Sequence, residues 1–144
     1  MKAMTDLIDP KLRWTAGNVF KGSFAGAAAG AVVNVVLFLL GAAMTSLSAR
    51  FDPSAAAPGD LALVAVVMAS LVPALPAGLA ALVVGRFAKS PAPAFTALAV
   101  VCGVLSMGGP ATLAGASVGL KVILALMHVV SAATITGGVV RSTR

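Results

Sequence analysis

The sequence predicts an all-α integral membrane protein, a bundle of four transmembrane helices preceded by a short N-terminal interfacial helix. The 144 residues are 60% hydrophobic and only 10% charged, whereas soluble domains carry about 25% charged residues. Long runs of the chain have no charge at all, and about 20 apolar helical residues are enough to cross a hydrocarbon core of about 30 Å. A soluble fold would lack the polar side chains to cover its surface.

Residues 1–21 form a basic cytoplasmic tail that contains the predicted interfacial helix. Asp9 followed by Pro10 is a favourable helix start, with a capping carboxylate before a proline in the first turn. Trp14 and Phe20 lie among basic residues, which is typical of a helix at the level of the lipid headgroups. A cleaved signal peptide is the alternative, but the apolar run that follows residue 21 is too long for one.

The transmembrane domain is predicted over residues 22–140, followed by a cytoplasmic tail at 141–144. Its spans are expected at about 22–49, 61–84, 93–109 and 118–140. The third span is short, so we expect it to thin the bilayer, lean on its neighbours or use residues 91–94 as an extra turn.

Basic residues are unevenly distributed between the connections. Lys and Arg are frequent in the N-terminal tail, in the connection between the second and third spans and in the C-terminal tail, and rare in the other two connections. The positive-inside rule then predicts a multi-pass protein of the cell membrane, the inner membrane in a bacterium, with both termini in the cytoplasm. Because the basic residues flank apolar runs and are sparse, a nucleic-acid partner is not expected.

Pro73 and Pro76 lie near the middle of the second span. One continuous helix with a bend is the simpler interpretation, and a re-entrant hairpin is the alternative. The two prolines leave the carbonyls of Ala69 and Val72 without their usual donors, so Ser70, water or a neighbouring helix must replace them. Such a bend can be a matter of geometry alone, or it can mark a substrate or ion site.

Small residues recur along one face of the first span. Gly22, Gly26 and Gly30 are spaced four residues apart, and Gly41 continues the same face. This pattern is typical of close, GxxxG-type helix packing. Another helix of the same chain or a second copy of the protein could be the partner.

Polar groups at membrane depth are candidates for function, because each is costly without a partner. His128 has three interpretations: a structural hydrogen bond to Asn34 or to a carbonyl freed by the prolines, a proton-relay or ligand-binding role, or metal binding. The spans contain no acidic residue and the chain has one cysteine, so neither a metal nor another cofactor is expected. The candidate ligand site consists of Asn34, Ser70, Pro73, Pro76, Cys102 and His128.

Three segments resemble a known family: LVPALPAG and the closing GRF of the second span, and KVILALMHVVSAA of the fourth. They resemble small bacterial four-helix integral membrane proteins that form a family defined only as a domain of unknown function. The resemblance covers about residues 20–140 and implies the fold and a membrane location. It implies no activity, so Met127 and His128 remain candidates.

Two functional hypotheses follow. The first is a non-enzymatic accessory or assembly subunit, or a small homo-oligomer, that packs through the glycine-rich first helix, with membrane lipids and a larger membrane complex as its partners. The second is a small transporter or lipophilic-ligand-binding protein with a midplane site near Pro73, Pro76 and His128. An embedded enzyme is less favoured, because no nucleophile elbow or oriented histidine is present in the sequence.

Overall fold

The computed structural model describes residues 13–45 and 63–144, and all the elements in these ranges are helices. Four stretches are long and apolar enough to cross a membrane, so the predicted fold of a four-helix membrane protein is confirmed. The helix start at Asp9 and Pro10 and the connection between the first two spans lie outside the described residues. The helices are α1 Ala16–Thr45, α2 Leu63–Leu71, α3 Ala74–Phe87, α4 Pro91–Ser106, α5 Gly108–Thr112 and α6 Val118–Ser142.

Helix α1 begins at Ala16, before the predicted start of the first span. Trp14, ahead of the helix, packs inward, and only 9% of the residue is exposed. Its ring meets Phe95 edge-on, with centroids 6.2 Å apart and planes at 72°. Gly85 makes room for this ring, since a Cβ there would lie 2.9 Å from the Cβ of Trp14.

The second span consists of α2 and α3, joined at Val72 and Pro73. Pro73 keeps helical backbone angles, with φ −62° and ψ −17°. Pro76 has no N–H that could donate to the carbonyl of Val72. The N–H of Leu75, one residue earlier, donates to this carbonyl instead, at 3.3 Å. The chain continues through the proline pair in one direction, as one interrupted helix and not as a hairpin.

The third span is lengthened at both ends. Helix α4 starts at Pro91, which occupies the first turn, where no N–H is needed. After a break at Met107, α5 continues to Thr112. Pro110 lies in the first turn of α5 and does not end the helical path there. The apolar stretch Pro91–Thr112 therefore reaches 22 residues, enough to cross a bilayer.

Helix α1 is the centre of the bundle and packs against α2, α3 and most extensively α6. One buried cluster joins Ala27 of α1, Ala74 of α3 and Ile135 of α6. These are small or slender side chains, so the three helices approach closely. In lipid such close van der Waals packing replaces the hydrophobic effect as the force that holds helices together.

The glycine face of α1 lies against α6 of the same chain. A Cβ added to Gly26 would lie 2.8 Å from the Cα of Ile135, and one added to Gly22 would collide with the carbonyl of Gly138. Gly30 faces the side chain of Thr134. The two backbones are thus in direct contact at Gly22 and Gly26, one turn apart, and this contact requires glycine at both positions. Gly41, further along the same face, meets the side chain of Ile123.

Candidate functional site

A buried polar cluster joins three helices at Asn34. Its Nδ2 donates to the hydroxyl of Ser70 on α2 at 2.9 Å and to the hydroxyl of Ser131 on α6 at 2.9 Å. The carbonyl of Met127 is a third, weaker acceptor at 3.4 Å. Asn34 and Ser70 are each only 2% exposed, and Ser131 is half-buried.

The other end of the same amide has no partner among the described residues. The Oδ1 atom of Asn34 is buried and accepts no hydrogen bond. An unpaired buried acceptor costs about 1–3 kcal/mol, and this cost offsets part of what the Nδ2 contacts contribute. The cluster therefore specifies how α1, α2 and α6 are rotated against each other more than it stabilises the bundle.

A second buried hydroxyl, that of Ser23, donates a hydrogen bond to the segment that contains the two prolines. Ser23 is fully buried, and its Oγ donates to the carbonyl of Ala74, between the two prolines, at 2.6 Å. Ser70, which the sequence suggested as a donor to the carbonyls of Ala69 and Val72, donates to the carbonyl of Val66 on its own helix at 2.8 Å. Sequence reasoning missed Ser23, which follows Gly22 by one residue and therefore lies beside the glycine face and not on it.

His128 stands apart from the polar cluster. Its Nδ1 lies 2.7 Å from the carbonyl of Leu124, one turn back on the same helix. A neutral ring in this arrangement carries its proton on Nδ1, which is a tautomer inferred from the bond. The histidine is half-buried, and neither Asn34 nor a proline-segment carbonyl is its partner in the described structure.

The predicted midplane site is therefore assembled only in part. The structure brings Asn34 and Ser70 into contact, and it leaves Pro73 half-buried and Pro76 exposed. Cys102 is an exposed free thiol on α4. Among the described residues no group of three His, Cys, Asp or Glu side chains could hold a metal ion.

An apolar groove of about 550 Å³ runs between α4 and α6. Small residues line it, with Ala99 and Gly103 on α4 facing Ala132, Ala133 and Gly137 on α6. The remaining lining is valine and methionine, apart from the hydroxyls of Thr96 and Thr136. A Cβ added to Gly137 would meet nothing within 4 Å, so this glycine opens onto the groove.

Helix α4 is buried mainly near its start and stays close to α6 beside the groove, where a Cβ added to Gly103 would lie 3.5 Å from the Cβ of Ala132. Phe95 near its start is buried in a cluster with Trp14 and Val139, whereas Val100, Val104 and the rest of the helix are largely exposed. Only 6% of an 18-residue apolar stretch within Pro91–Thr112 is buried, against 33% of the corresponding stretch of α1. The sequence carries a signal for the groove in the small residues of α6, namely Ala132, Ala133 and Gly137.

The comparisons with known proteins agree with this architecture. No curated protein and no solved structure matches the chain. One family matches residues 14–144, beginning at the buried Trp14 and including every helix described above. The resemblance to small membrane proteins of unknown function is thereby confirmed, over a longer stretch than expected. The chain belongs to the family of unknown function DUF6069.

Proposed function

We propose that this protein is a non-enzymatic multi-pass membrane protein that binds a lipophilic ligand in the groove between α4 and α6. The groove is the observation that carries the proposal. Its volume of about 550 Å³ lies within the range of about 300–1,000 Å³ that is usual for small-molecule sites. Its lining is apolar and built from small side chains, which suits a slender hydrocarbon ligand.

The proposal moves the ligand site away from the predicted midplane cluster. The hydroxyl and amide groups of Asn34, Ser70 and Ser131 are already bonded to one another, so they offer a ligand little space. The groove, in contrast, opens between two helices, and Gly137 leaves space inside it. A lipophilic molecule could enter from the bilayer without disrupting the α1–α6 interface.

Photolabelling tests this function. A photoactivatable fatty-acid analogue in proteoliposomes is expected to label peptides of α4 and α6, including the segment around Gly137. Gly137→Leu fills the groove and should abolish this labelling. Gly17→Leu is the matched control, because Gly17 also has open space around it but lies at the start of α1. Labelling confined to the peptides of Ser70 or His128, or labelling that Gly137→Leu leaves unchanged, would contradict the proposal.

A second candidate function is that of an accessory or assembly subunit of a larger membrane complex. The sparse burial of Pro91–Thr112 favours it, because a loosely packed helix has an apolar face available for another protein. A homo-oligomer formed through Gly22, Gly26 and Gly30 would first require α6 to leave that face. Cross-linking through the lone Cys102 in native membranes tests the α4 face, and a stoichiometric adduct of defined mass is the expected result.

Three finer features belong to the same proposal. The glycines of α1 act as a GxxxG-type packing face toward α6, and the proline pair bends the second span. The protein resides in the cell membrane with both termini in the cytoplasm, as the distribution of basic residues suggests. Labelling of a cysteine added after Arg144, by an impermeant thiol reagent in spheroplasts and in inverted vesicles, tests this orientation.

A further inference from the structure

The ends of α4 and α6 that border one mouth of the groove lie side by side. Ala92 at the start of α4 and Val140 near the end of α6 pack against the same buried cluster, which contains Phe95 and Val139. Thr96 and Val140 line the groove at this end. The residues just outside these helix ends therefore surround the mouth of the groove.

Three basic residues occupy those positions. Arg141 follows Gly137 by four residues and so continues the groove face of α6, and Arg144 lies two residues beyond the end of this helix at Ser142. Lys89 lies two residues before α4. All three side chains are exposed, which leaves them free to bind a ligand at the mouth.

The described part of the chain offers these cations no acidic partner. The four acidic residues of the protein are Asp6, Asp9, Asp52 and Asp60, and all of them lie outside residues 13–45 and 63–144. Three cations near one mouth of the groove favour an anionic ligand.

We infer that the groove holds an acyl chain of one anionic phospholipid, whose headgroup phosphate binds Lys89, Arg141 and Arg144. This inference rests on the proposed function, because it names the ligand of that groove. From Val129 to Val140 the lining of α6 extends about 16 Å at 1.5 Å per residue, which is about half of a 30 Å hydrocarbon core. The groove therefore has the depth of one leaflet, with its polar mouth at the level of the headgroups.

Basic sites between transmembrane helices are a recurring way of recognising anionic lipids. The apolar groove would bind the acyl chain of the lipid, and the basic side chains would bind its headgroup, so different residues recognise the two halves of the lipid. The two halves can consequently be tested with separate substitutions.

Native mass spectrometry of protein released from nanodiscs tests the inference. The nanodiscs contain equal amounts of phosphatidylglycerol and phosphatidylcholine with identical acyl chains. The wild type is expected to retain one phosphatidylglycerol. The double variant Arg141→Gln/Arg144→Gln should lower this preference by roughly thirtyfold, about fivefold for each basic side chain near the surface. Lys121→Gln is the control, since Lys121 is a basic residue near the opposite end of α6.

The variant Gly137→Leu distinguishes a failure of the anionic-lipid inference from a failure of the proposed groove function. It should abolish retention of both lipids while the helix content measured by circular dichroism stays unchanged. If Gly137→Leu still retains lipid, both the groove function and the lipid inference are overturned. If Gly137→Leu releases lipid but the double arginine variant keeps the full preference, only the headgroup assignment is overturned.

The remaining outcomes are equally decisive. Equal retention of the two lipids by the wild type would overturn the anionic-lipid inference and leave a neutral lipophilic ligand. A second protein chain retained in place of lipid would assign the groove to protein association. Excess inorganic phosphate should not displace the lipid, because the acyl chain contributes to binding; displacement would point to an anion site without a lipid.

Discussion

The contact between α1 and α6 can be tested with two glycine-to-alanine substitutions of opposite effect. Gly26→Ala places a Cβ 2.8 Å from the carbonyl carbon of Thr134 and from the Cα of Ile135. Both obstacles are backbone atoms, so they cannot rotate away and the helices must separate. Gly137→Ala adds the same methyl group on α6, where nothing lies within 4 Å.

The two variants differ only in packing, because each replaces a helix-interior glycine with alanine. Removing glycine should raise helix stability by about 1 kcal/mol at either position. Overpacking at Gly26 should lower the free energy of unfolding by about 1–3 kcal/mol. Gly137→Ala is therefore expected to be the more stable variant by about 1–3 kcal/mol, since the propensity gain cancels in the comparison.

Titration with sodium dodecyl sulfate in mixed micelles measures this difference. Trp14 is the only tryptophan in the chain, and its burial at the end of the bundle makes its fluorescence a reporter of unfolding. Circular dichroism provides the independent probe. Equal changes in the free energy of unfolding of the two variants would refute the packing of α1 against α6 within one chain. So would a Gly26→Ala protein with unchanged monomer stability but altered oligomeric mass, which would assign the glycine face to a second copy.

Four further predictions concern the candidate polar residues. Asn34→Leu should change the free energy of unfolding in the same titration by no more than about 1 kcal/mol. The variant loses hydrogen bonds that contribute about 0.6 kcal/mol each in a membrane, but it also removes the unpaired Oδ1, and the two effects offset each other. Asn34→Asp keeps the shape and should destabilise by more than about 2 kcal/mol, since it places a carboxylate inside the bundle; a milder effect would mean that water reaches the cluster. His128→Leu should leave photolabelling of the groove unchanged, because the imidazole bonds to Leu124 of its own helix and to no other described residue, and lost labelling would restore the midplane site. A spin label on Cys102 should collide with oxygen more often than with a water-soluble nickel chelate in bilayers, as expected for an exposed thiol on an apolar helix; the reverse ratio would place this face of α4 in water.

Hydropathy and helix length were sufficient to predict the fold. The four apolar runs became four candidate spans, and the positions of Pro91, Pro73 and Asn34 within them could be read directly. The rotation of each helix about its axis was harder to predict. Lipid is as apolar as leucine, so apolar residues do not reveal which face is buried.

The parts of the site that escaped prediction depend on that rotation. The sequence identified Gly26 as a packing residue but could not name Gly138 and Thr134 as its surroundings. The sequence grouped His128 with Asn34 only because both lie at similar depth in the membrane. In the structure, Met127 and Ser131 contact the side-chain amide of Asn34. The groove escaped prediction because it depends on which faces of α4 and α6 meet around Gly103 and Ala132, and no local pattern encodes that.

The pairing of α1 with α6 has a consequence for how the protein is made. Translation produces α1 before α6, yet the hydroxyl of Ser142 bonds to the carbonyl of Asn18, 124 residues earlier. The glycine face of α1 therefore enters the bilayer before its neighbour and stays uncovered until α6 has been synthesised and inserted. During that interval the first helix is exposed to other helices, and a ribosome stalled before α6 would leave a chain whose glycine face has no partner helix.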